Sequence, residues 1–140
     1  MGADFTADSG TSSRGGELRA EIARGIVALH KEIYGKGPVK VKVHVHDDSV
    51  TALMRGGFMP VEQALHDIGK AEAVTQQRLE VKEAMRTQYT ALIERATGRS
   101  VVGFMSGAQQ DPDLQCEIFV LTGSDLLADD SDDAGSEPGS

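Results

Sequence analysis

Residues 34–65 read YGKGPVKVKVHVHDDSVTALMRGGFMPVEQAL: a Gly-Pro turn, an alternating run, a polar corner, a second run and a proline. Valines occupy every second position of the first run and polar residues the others, namely Val39, Val41, Val43 and Val45 against Lys40, Lys42, His44 and His46. This period of two predicts a half-buried strand. Asp47, Asp48 and Ser49 favour a turn, so Val50 to Arg55 completes an antiparallel hairpin.

Helical patterns lie on both sides of this hairpin. Upstream, apolar residues recur every three to four positions, at Leu18, Ile22, Ile26, Leu29 and Ile33. They predict an amphipathic helix over about 16–34, ended by Gly35 and Pro38. Downstream, Pro60 suits the first position of a helix, and apolar spacing continues to Gly98. We expect one long helix here, bent or interrupted near Gly69.

A second hairpin, SVVGFMS followed by LQCEIFVLT, completes the order α-β-β-α-β-β. The pattern indicates an α+β two-layer sandwich: a four-stranded antiparallel sheet with two main helices on one face. Val102 and Phe104 would meet Ile118 and Val120 across the strands. The other face would be uncovered, and Leu53, Val101 or Phe119 would make it partly apolar. We therefore expect a homodimer.

Composition sets the domain boundaries. A chain of 140 residues supports one core, so we expect a disordered tail at 1–15, a single domain at 16–123 and an acidic disordered tail at 124–140. Most of the net charge of −8 lies in the ends, because residues 123–140 hold six carboxylates and neither Lys nor Arg. The nearly neutral body argues against nucleic-acid binding.

The sequence contains no recognisable signal for membrane insertion or secretion. The chain has no apolar run long enough to cross a bilayer, and its first residues resemble no secretory signal. Its one cysteine, Cys116, cannot form an internal disulfide. We expect a soluble, cytoplasmic protein that does not insert into membranes.

Polar residues of the first hairpin form the candidate surface. It comprises Lys36, Lys40, Lys42, His44, His46 and Arg55. The cations suit an anion, a nucleotide or an acidic tail, although lysines alternating with valines also protect an edge strand from aggregation. His44, His46 and Asp48 could approach a metal. A zinc site requires three or four protein ligands, and the third group here, Asp48, falls in the turn, so we interpret the histidines as the solvent-exposed side of the strand.

Catalytic patterns are not found in the sequence. GKGP lacks the spacing of a phosphate loop, and Ser100, Ser106 and Ser124 lack a nucleophile-elbow context. Cys116 lies inside a predicted strand, between Gln115 and Glu117, and we interpret it as a small buried hydrophobic residue. We expect a non-enzymatic protein with no catalytic residues, no cofactor and no metal site.

Residues 34–65 resemble the MpsC family, which has a GRGP-like turn, an Asp-containing corner, a Leu-x-Gly strand end and a Thr-Pro-x-Glu helix start. Residues 83–121 resemble it as well, through a long helix, a Thr97-Gly98-Arg99 exit and a final hairpin with Pro112, Asp113, Glu117 and Phe119. The similarity covers about residues 17–122. Met59 stands here where the family usually has threonine.

The resemblance implies a role in a sodium-translocating, membrane-potential-generating system. It implies an accessory or regulatory protein that acts through self-association and through protein components of the membrane system. The alternative from the residues themselves is a small-ligand or anion-binding module that uses the polar face of the first hairpin.

Overall fold

The computed structural model describes residues 4–7, 13–38, 40–57 and 59–128. Within these ranges the strands are β1 (Asp4–Ala7), β2 (Lys40–Val45), β3 (Ser49–Arg55), β4 (Val101–Gln109) and β5 (Leu114–Leu121). The helices are α1 (Ser13–Tyr34), α2 (Pro60–Asp67), α3 (Ala71–Ala84) and α4 (Arg86–Thr97), and a short 3-10 turn spans Asp125–Leu127.

The α+β class and the four-stranded antiparallel sheet are confirmed. The antiparallel strands lie in the order β2-β3-β5-β4, so each predicted hairpin forms and β3 pairs with β5 between them. Val41 and Val43 of β2 are fully buried, as the alternation predicts. Val39, which belongs to the same pattern, lies outside the described residues.

The amino-terminal region differs from the expected tail. Residues Asp4–Ala7 form a fifth strand, parallel to β2 and paired from Asp4↔Lys40 to Ala7↔Val43, and α1 begins at Ser13. A four-residue strand held by main-chain pairing is too short to carry a periodic signal, so the pattern of side chains did not predict it. The rest of the tail prediction for 1–15, and residues 129–140 of the acidic tail, lie outside the described residues.

The second helical region consists of three helices instead of one bent helix. The expected break at Gly69 occurs, with a positive φ of 81° that favours glycine. A second break at Met85 separates α3 from α4. The amide of Met85 still bonds to the carbonyl of Val81 at 3.0 Å, so the two helices are nearly continuous.

The cross-strand partners in the second hairpin differ from those expected. Phe104 is paired with Phe119, and both are buried, with their ring centroids 5.0 Å apart. Ile118 lies beside Met105 on the opposite face. The register shifts between Val101 and Gly103, so alternation counted from the start of β4 assigns the wrong face.

Candidate functional site: a buried ionic cluster and an open sheet face

The buried side of α3 is charged. Its buried residues are Val74, Arg78 and Lys82, at a spacing of four, with Met85 following after the helix. Arg78 and Lys82 are each 1% exposed. Two cations at core positions require partners, because an unpaired buried charge costs several kcal/mol, of the order of 3–5 when one partner of a pair is removed.

Arg78 binds two carboxylates from different parts of the chain. Its Nε and Nη2 donate to Glu62 of α2 at 3.2 and 3.1 Å, and its Nη1 donates to Asp113, before β5, at 2.5 Å. Glu62 also accepts the amide of Met59 at 2.9 Å and so supports the first turn of α2. The planar guanidinium thus holds α2, α3 and the β4–β5 turn together.

Lys82 approaches β5 one turn further along α3. Its Nζ donates to Gln115 Oε1 at 2.8 Å and lies 2.6 Å from Glu117 Oε2. The contact with Glu117 is an ion pair of poor direction, since neither Glu117 oxygen accepts a well-aligned hydrogen bond within the described part of the chain. Burial raises the pKa of Glu117, against the lowering effect of Lys82.

Aromatic and imidazole groups complete the cluster on the α1 side. His30 Nδ1 lies 3.5 Å from the Tyr89 hydroxyl, and the His30 and Tyr34 rings are 5.1 Å apart. Burial, with the nearby Lys82 and Arg78, lowers the pKa of His30 to about 3. Burial also raises the pKa of Tyr34 to about 12, so both side chains are neutral at neutral pH.

The ionic cluster therefore fastens the helical layer to the sheet. Four of its five charged members, Glu62, Arg78, Lys82 and Glu117, are at most 1% exposed, and the side chain of Asp113 is 16% exposed. A solute would not reach those four without an opening of the fold. The sequence prediction missed this cluster, because only the apolar residues of this helical region were used to place the helix. The sequence does contain a signal for it: Arg78 and Lys82 are spaced so that they share one helix face with the apolar residues Val74 and Met85.

The candidate residues of the first hairpin lie outside the core. Lys40 and Lys42 alternate with buried valines, and Arg55 is paired with Lys40, so these three cations share the uncovered face of the sheet. We call Lys40, Lys42 and Arg55 the cationic corner. Lys36 is exposed in the loop before β2 and does not belong to the strand.

His44 and His46 lie toward the β2–β3 turn. Their rings are nearly parallel, with centroids 6.4 Å apart. The carboxylate of Asp48, the third group of the weighed metal set, accepts the hydroxyl of Ser124 at 3.0 Å. Among the described residues, no group of three metal-binding side chains of the His, Cys, Asp or Glu type is found.

The other half of the uncovered face is apolar. Leu53 of β3, Met105 of β4 and Leu114 of β5 are 46%, 55% and 39% exposed. Beside Leu53 and Leu114 lies a shallow depression of about 220 Å³, where Gly107 contributes no side chain opposite Cys116. We call Leu53, Met105, Leu114, Ile118 and Val120 the apolar half. Of the three residues expected here, Leu53 is confirmed, whereas Phe119 belongs to the core and Val101 packs partly against it.

These features define a two-layer α+β domain. The helices and the ionic cluster cover one face of the sheet, and no helix of the described ranges covers the other. A family model described as Na+-translocating membrane potential-generating system (MpsC) matches residues 14–123, and the chain belongs to the MpsC family. No curated protein and no solved structure matched the chain. None of the helices in the described ranges has the length and apolarity needed to span a membrane.

The resemblance noted in the sequence involves the ionic cluster. Glu62 is the glutamate of the helix start, and Asp113 and Glu117 come from the final hairpin. All three bind a cation of α3. Arg99, from the helix exit, donates to the carbonyls of Asp47 and Thr122 and ties the β2–β3 turn to the end of β5.

Proposed function

We propose that this protein is a non-enzymatic accessory or regulatory element of a sodium-translocating, membrane-potential-generating system. It acts by self-association and by binding protein components of that system. Family membership supports the link to the system. The observation that carries the mode of action is the uncovered sheet face, on which Leu53, Met105 and Leu114 are substantially exposed.

The apolar half binds a second copy of the chain in this proposal. A twofold interface places the same surface against itself, so it must be self-complementary. The apolar half has no charged side chain and can meet its own copy without repulsion. The cationic corner cannot, and it lies to one side, on β2 and the end of β3. Contact through the apolar half leaves the corners available to other partners.

Sedimentation equilibrium at micromolar concentration tests the self-association. We expect a mass of twice the 14.9 kDa chain. Met105→Lys should return the protein to one chain, because it places a charge in the centre of the contact without touching the core. Val61→Lys is the matched control: Val61 is also exposed, but it lies on α2. A wild-type protein that sediments as single chains would contradict the proposal.

Binding to the membrane system requires a separate measurement. Purified membrane components of the translocating system, incorporated in detergent or nanodiscs, should bind the wild-type protein and the Val61→Lys control. Charge reversal at the exposed Lys42 of the cationic corner, Lys42→Glu, should weaken that binding. Equal binding by Lys42→Glu and wild type would exclude the cationic corner as the docking surface for these partners.

A small-ligand or anion-binding module is the second candidate, favoured by the cationic corner and His44. A thermal-shift screen against nucleotides, bicarbonate and divalent metals distinguishes it. A ligand that binds only the folded protein raises the free energy of unfolding by about 2.7 kcal/mol when its free concentration is 100 times its dissociation constant. This candidate requires one such ligand to stabilise wild type and not Lys42→Ala; a screen with no stabilising ligand removes it.

A further inference from the structure

The apolar half is centred on β5, which lies between β3 and β4 in the sheet. Strand pairing places the residues of these strands in rows, and one row consists of Leu53, Cys116 and Gly107. Gly107 leaves the β4 end of this row without a side chain, whereas Leu53 at the β3 end is 46% exposed. Each copy of the chain thus presents a projecting leucine and a gap, each one strand spacing, about 4.8 Å, from β5.

The gap at Gly107 belongs to the shallow depression of about 220 Å³. Leu114 and Cys116 also line this depression, and a Cβ at Gly107 would lie 3.2 Å from the sulfur of Cys116. Even a methyl group at position 107 would therefore touch the floor of the gap. Pockets that enclose small molecules are larger, roughly 300–1,000 Å³. The depression is suited to a single apolar side chain of a partner surface.

The symmetry of a pair determines which side chain of a second copy can enter this gap. Two sheets that pack face to face with aligned strands are related by a twofold axis between them, either along the strands or across them. An axis across the strands stacks every strand on its own copy, so that β2 lies on β2. That arrangement encloses Lys40 and Lys42 between two sheets, and enclosing a charged group is costly unless it gains a partner.

An axis along β5 leaves these lysines outside the contact. It places β4 of one copy over β3 of the other, and β2 then lies beyond the edge of the opposite sheet. The two ends of each row change places about β5, so Leu53 of one copy lies over Gly107 of the other. At the rim of the contact Arg55 lies over Gln109, which is neutral, so like charges do not meet there.

We propose that two copies pair about a twofold axis along β5, and that Leu53 of each copy fills the gap at Gly107 of the other. Gly107 then determines the specificity of the apolar half, because a side chain at this position would occupy the space that the leucine needs. The inference rests on the proposed self-association and adds its orientation and its specificity. The two cationic corners lie at the outer sides of the pair.

Moving the leucine from one strand to the other tests the contact. Gly107→Leu should raise the dissociation constant of the pair by about tenfold or more in sedimentation equilibrium, because two leucines then compete for one space. Gly107 has no positive φ, so its backbone accepts leucine. The double variant Gly107→Leu/Leu53→Ala should pair again, since the gap is now on β3. Pairing of Gly107→Leu as tight as that of wild type, or a folded double variant that stays a single chain, would overturn the proposal.

A mixture of the two single variants is the matched control. A pair made of one Gly107→Leu chain and one Leu53→Ala chain has one wild-type contact and one exchanged contact. This mixed pair should therefore outnumber both self-pairs in native mass spectrometry, with one of the chains labelled by heavy isotopes. A purely statistical distribution of the three pairs would contradict a contact between Leu53 and Gly107.

Cys116 provides a readout in the wild-type protein, without any substitution. It is the only cysteine of the chain and lies between Leu53 and Gly107 in the row, so pairing covers it. Alkylation by iodoacetamide should slow as the protein concentration rises through the range in which the mass doubles. A constant rate in that range would overturn this contact and leave the self-association standing, whereas a mass that never doubles would remove the proposed self-association itself.

Isotope-filtered NMR on mixed labelled and unlabelled chains distinguishes the two orientations. An axis along β5 predicts intermolecular cross-peaks from the methyl groups of Leu53 to the α protons of Gly107. An axis across the strands stacks β3 on β3 and predicts cross-peaks from Leu53 to residues of β3 such as Thr51. Cross-peaks of the second kind without the first would overturn the proposal.

Discussion

Lys82 and Glu117 form the most buried pair of opposite charges in the described part of the chain, with exposures of 1% and 0%. Burying both groups costs desolvation energy that their attraction only partly returns. Lys82 also donates to Gln115, so a single side chain makes one hydrogen bond and one ion pair with two residues of β5. Lys82 stabilises the fold mainly because Glu117 without it would be a buried charge that has no partner.

Lys82→Met should therefore lower the free energy of unfolding by about 3–5 kcal/mol. The double variant Lys82→Met/Glu117→Gln should be destabilised by less than Lys82→Met alone, because no buried charge is left unpaired. Urea unfolding measures both. Glu83→Ala, which removes the exposed Glu83–Arg86 pair, is the control and should change stability by less than about 1 kcal/mol. Strictly additive costs in the double variant would contradict this reading of the cluster.

His30 makes stability depend on pH. Its pKa falls from 6.5 to about 3 on folding, first because of burial and then because of Lys82 and Arg78. Between these values the unfolded chain binds a proton at His30 and the folded chain does not. This contribution is complete above pH 6.5 and is lost as the pH falls, at roughly 1.4 kcal/mol per pH unit. His30→Gln should flatten the loss, measured by urea unfolding at several pH values; an unchanged slope would exclude His30 as its source.

Glu117 gives stability the opposite dependence on pH to that of His30. Burial raises its pKa above the ordinary 4.5, so its contribution is fully present below pH 4.5 and is lost as the pH rises through the raised value. Glu117→Gln should remove that loss and leave the His30 slope in place. A variant that instead steepens the decline on the alkaline side would contradict the direction assigned to Glu117.

At the level of elements, α1 and α4 pack closely because Gly25 of α1 has no side chain. A Cβ at Gly25 would overlap both methyl carbons of Leu92 on α4, and Leu92 is itself buried. The helix crossing therefore depends on one missing methyl group, although glycine is a poor helix former.

Gly25→Ala should destabilise the protein by about 1–3 kcal/mol, since overpacking outweighs the gain in helix propensity. Gly16→Ala, in the same helix, is the matched control: nothing lies within 4 Å of its Cβ position. It should stabilise by up to about 1 kcal/mol. Thermal unfolding compares the two variants. Stabilisation by both would show that Leu92 moves aside without cost.

The elements differ in how far their sequences predict them. The alternation in β2 was sufficient to predict the strand, because Val41 and Val43 on one face are fully buried and Val45 is partly buried. In β4 the bulge near Val101 and Gly103 changes the face in mid-strand, and no residue type announces it. In α3 the buried positions are occupied by Arg78 and Lys82, whose partners come from Glu62, Asp113 and Glu117, up to 35 residues away. A pattern within one element cannot contain that information.

For the candidate surface, the sequence identified Lys40, Lys42 and Arg55 as neighbours because a hairpin register follows from its turn. Of the apolar half it identified only Leu53 as a residue of the uncovered face. That surface depends on the pairing of β3 with β5, which the helical region separates in the chain. Met105 becomes a surface residue only through the register of β4.

On the scale of the whole molecule, the two sheet faces have different uses. The helical face is closed by an apolar core and the ionic cluster. The open face has an uncharged half and a cationic half. We propose that two copies of the chain meet through the uncharged half, which is the apolar half defined above.

Isotope-filtered NMR on a dimer of mixed labelled and unlabelled chains tests this claim most directly. We predict intermolecular cross-peaks from the Met105 methyl group of one copy to the methyl groups of Leu53 or Leu114 of the other. Cross-peaks that arise instead from Val61 and Ile68, the exposed apolar residues at α2, or a protein that stays a single chain at NMR concentration, would contradict the claim.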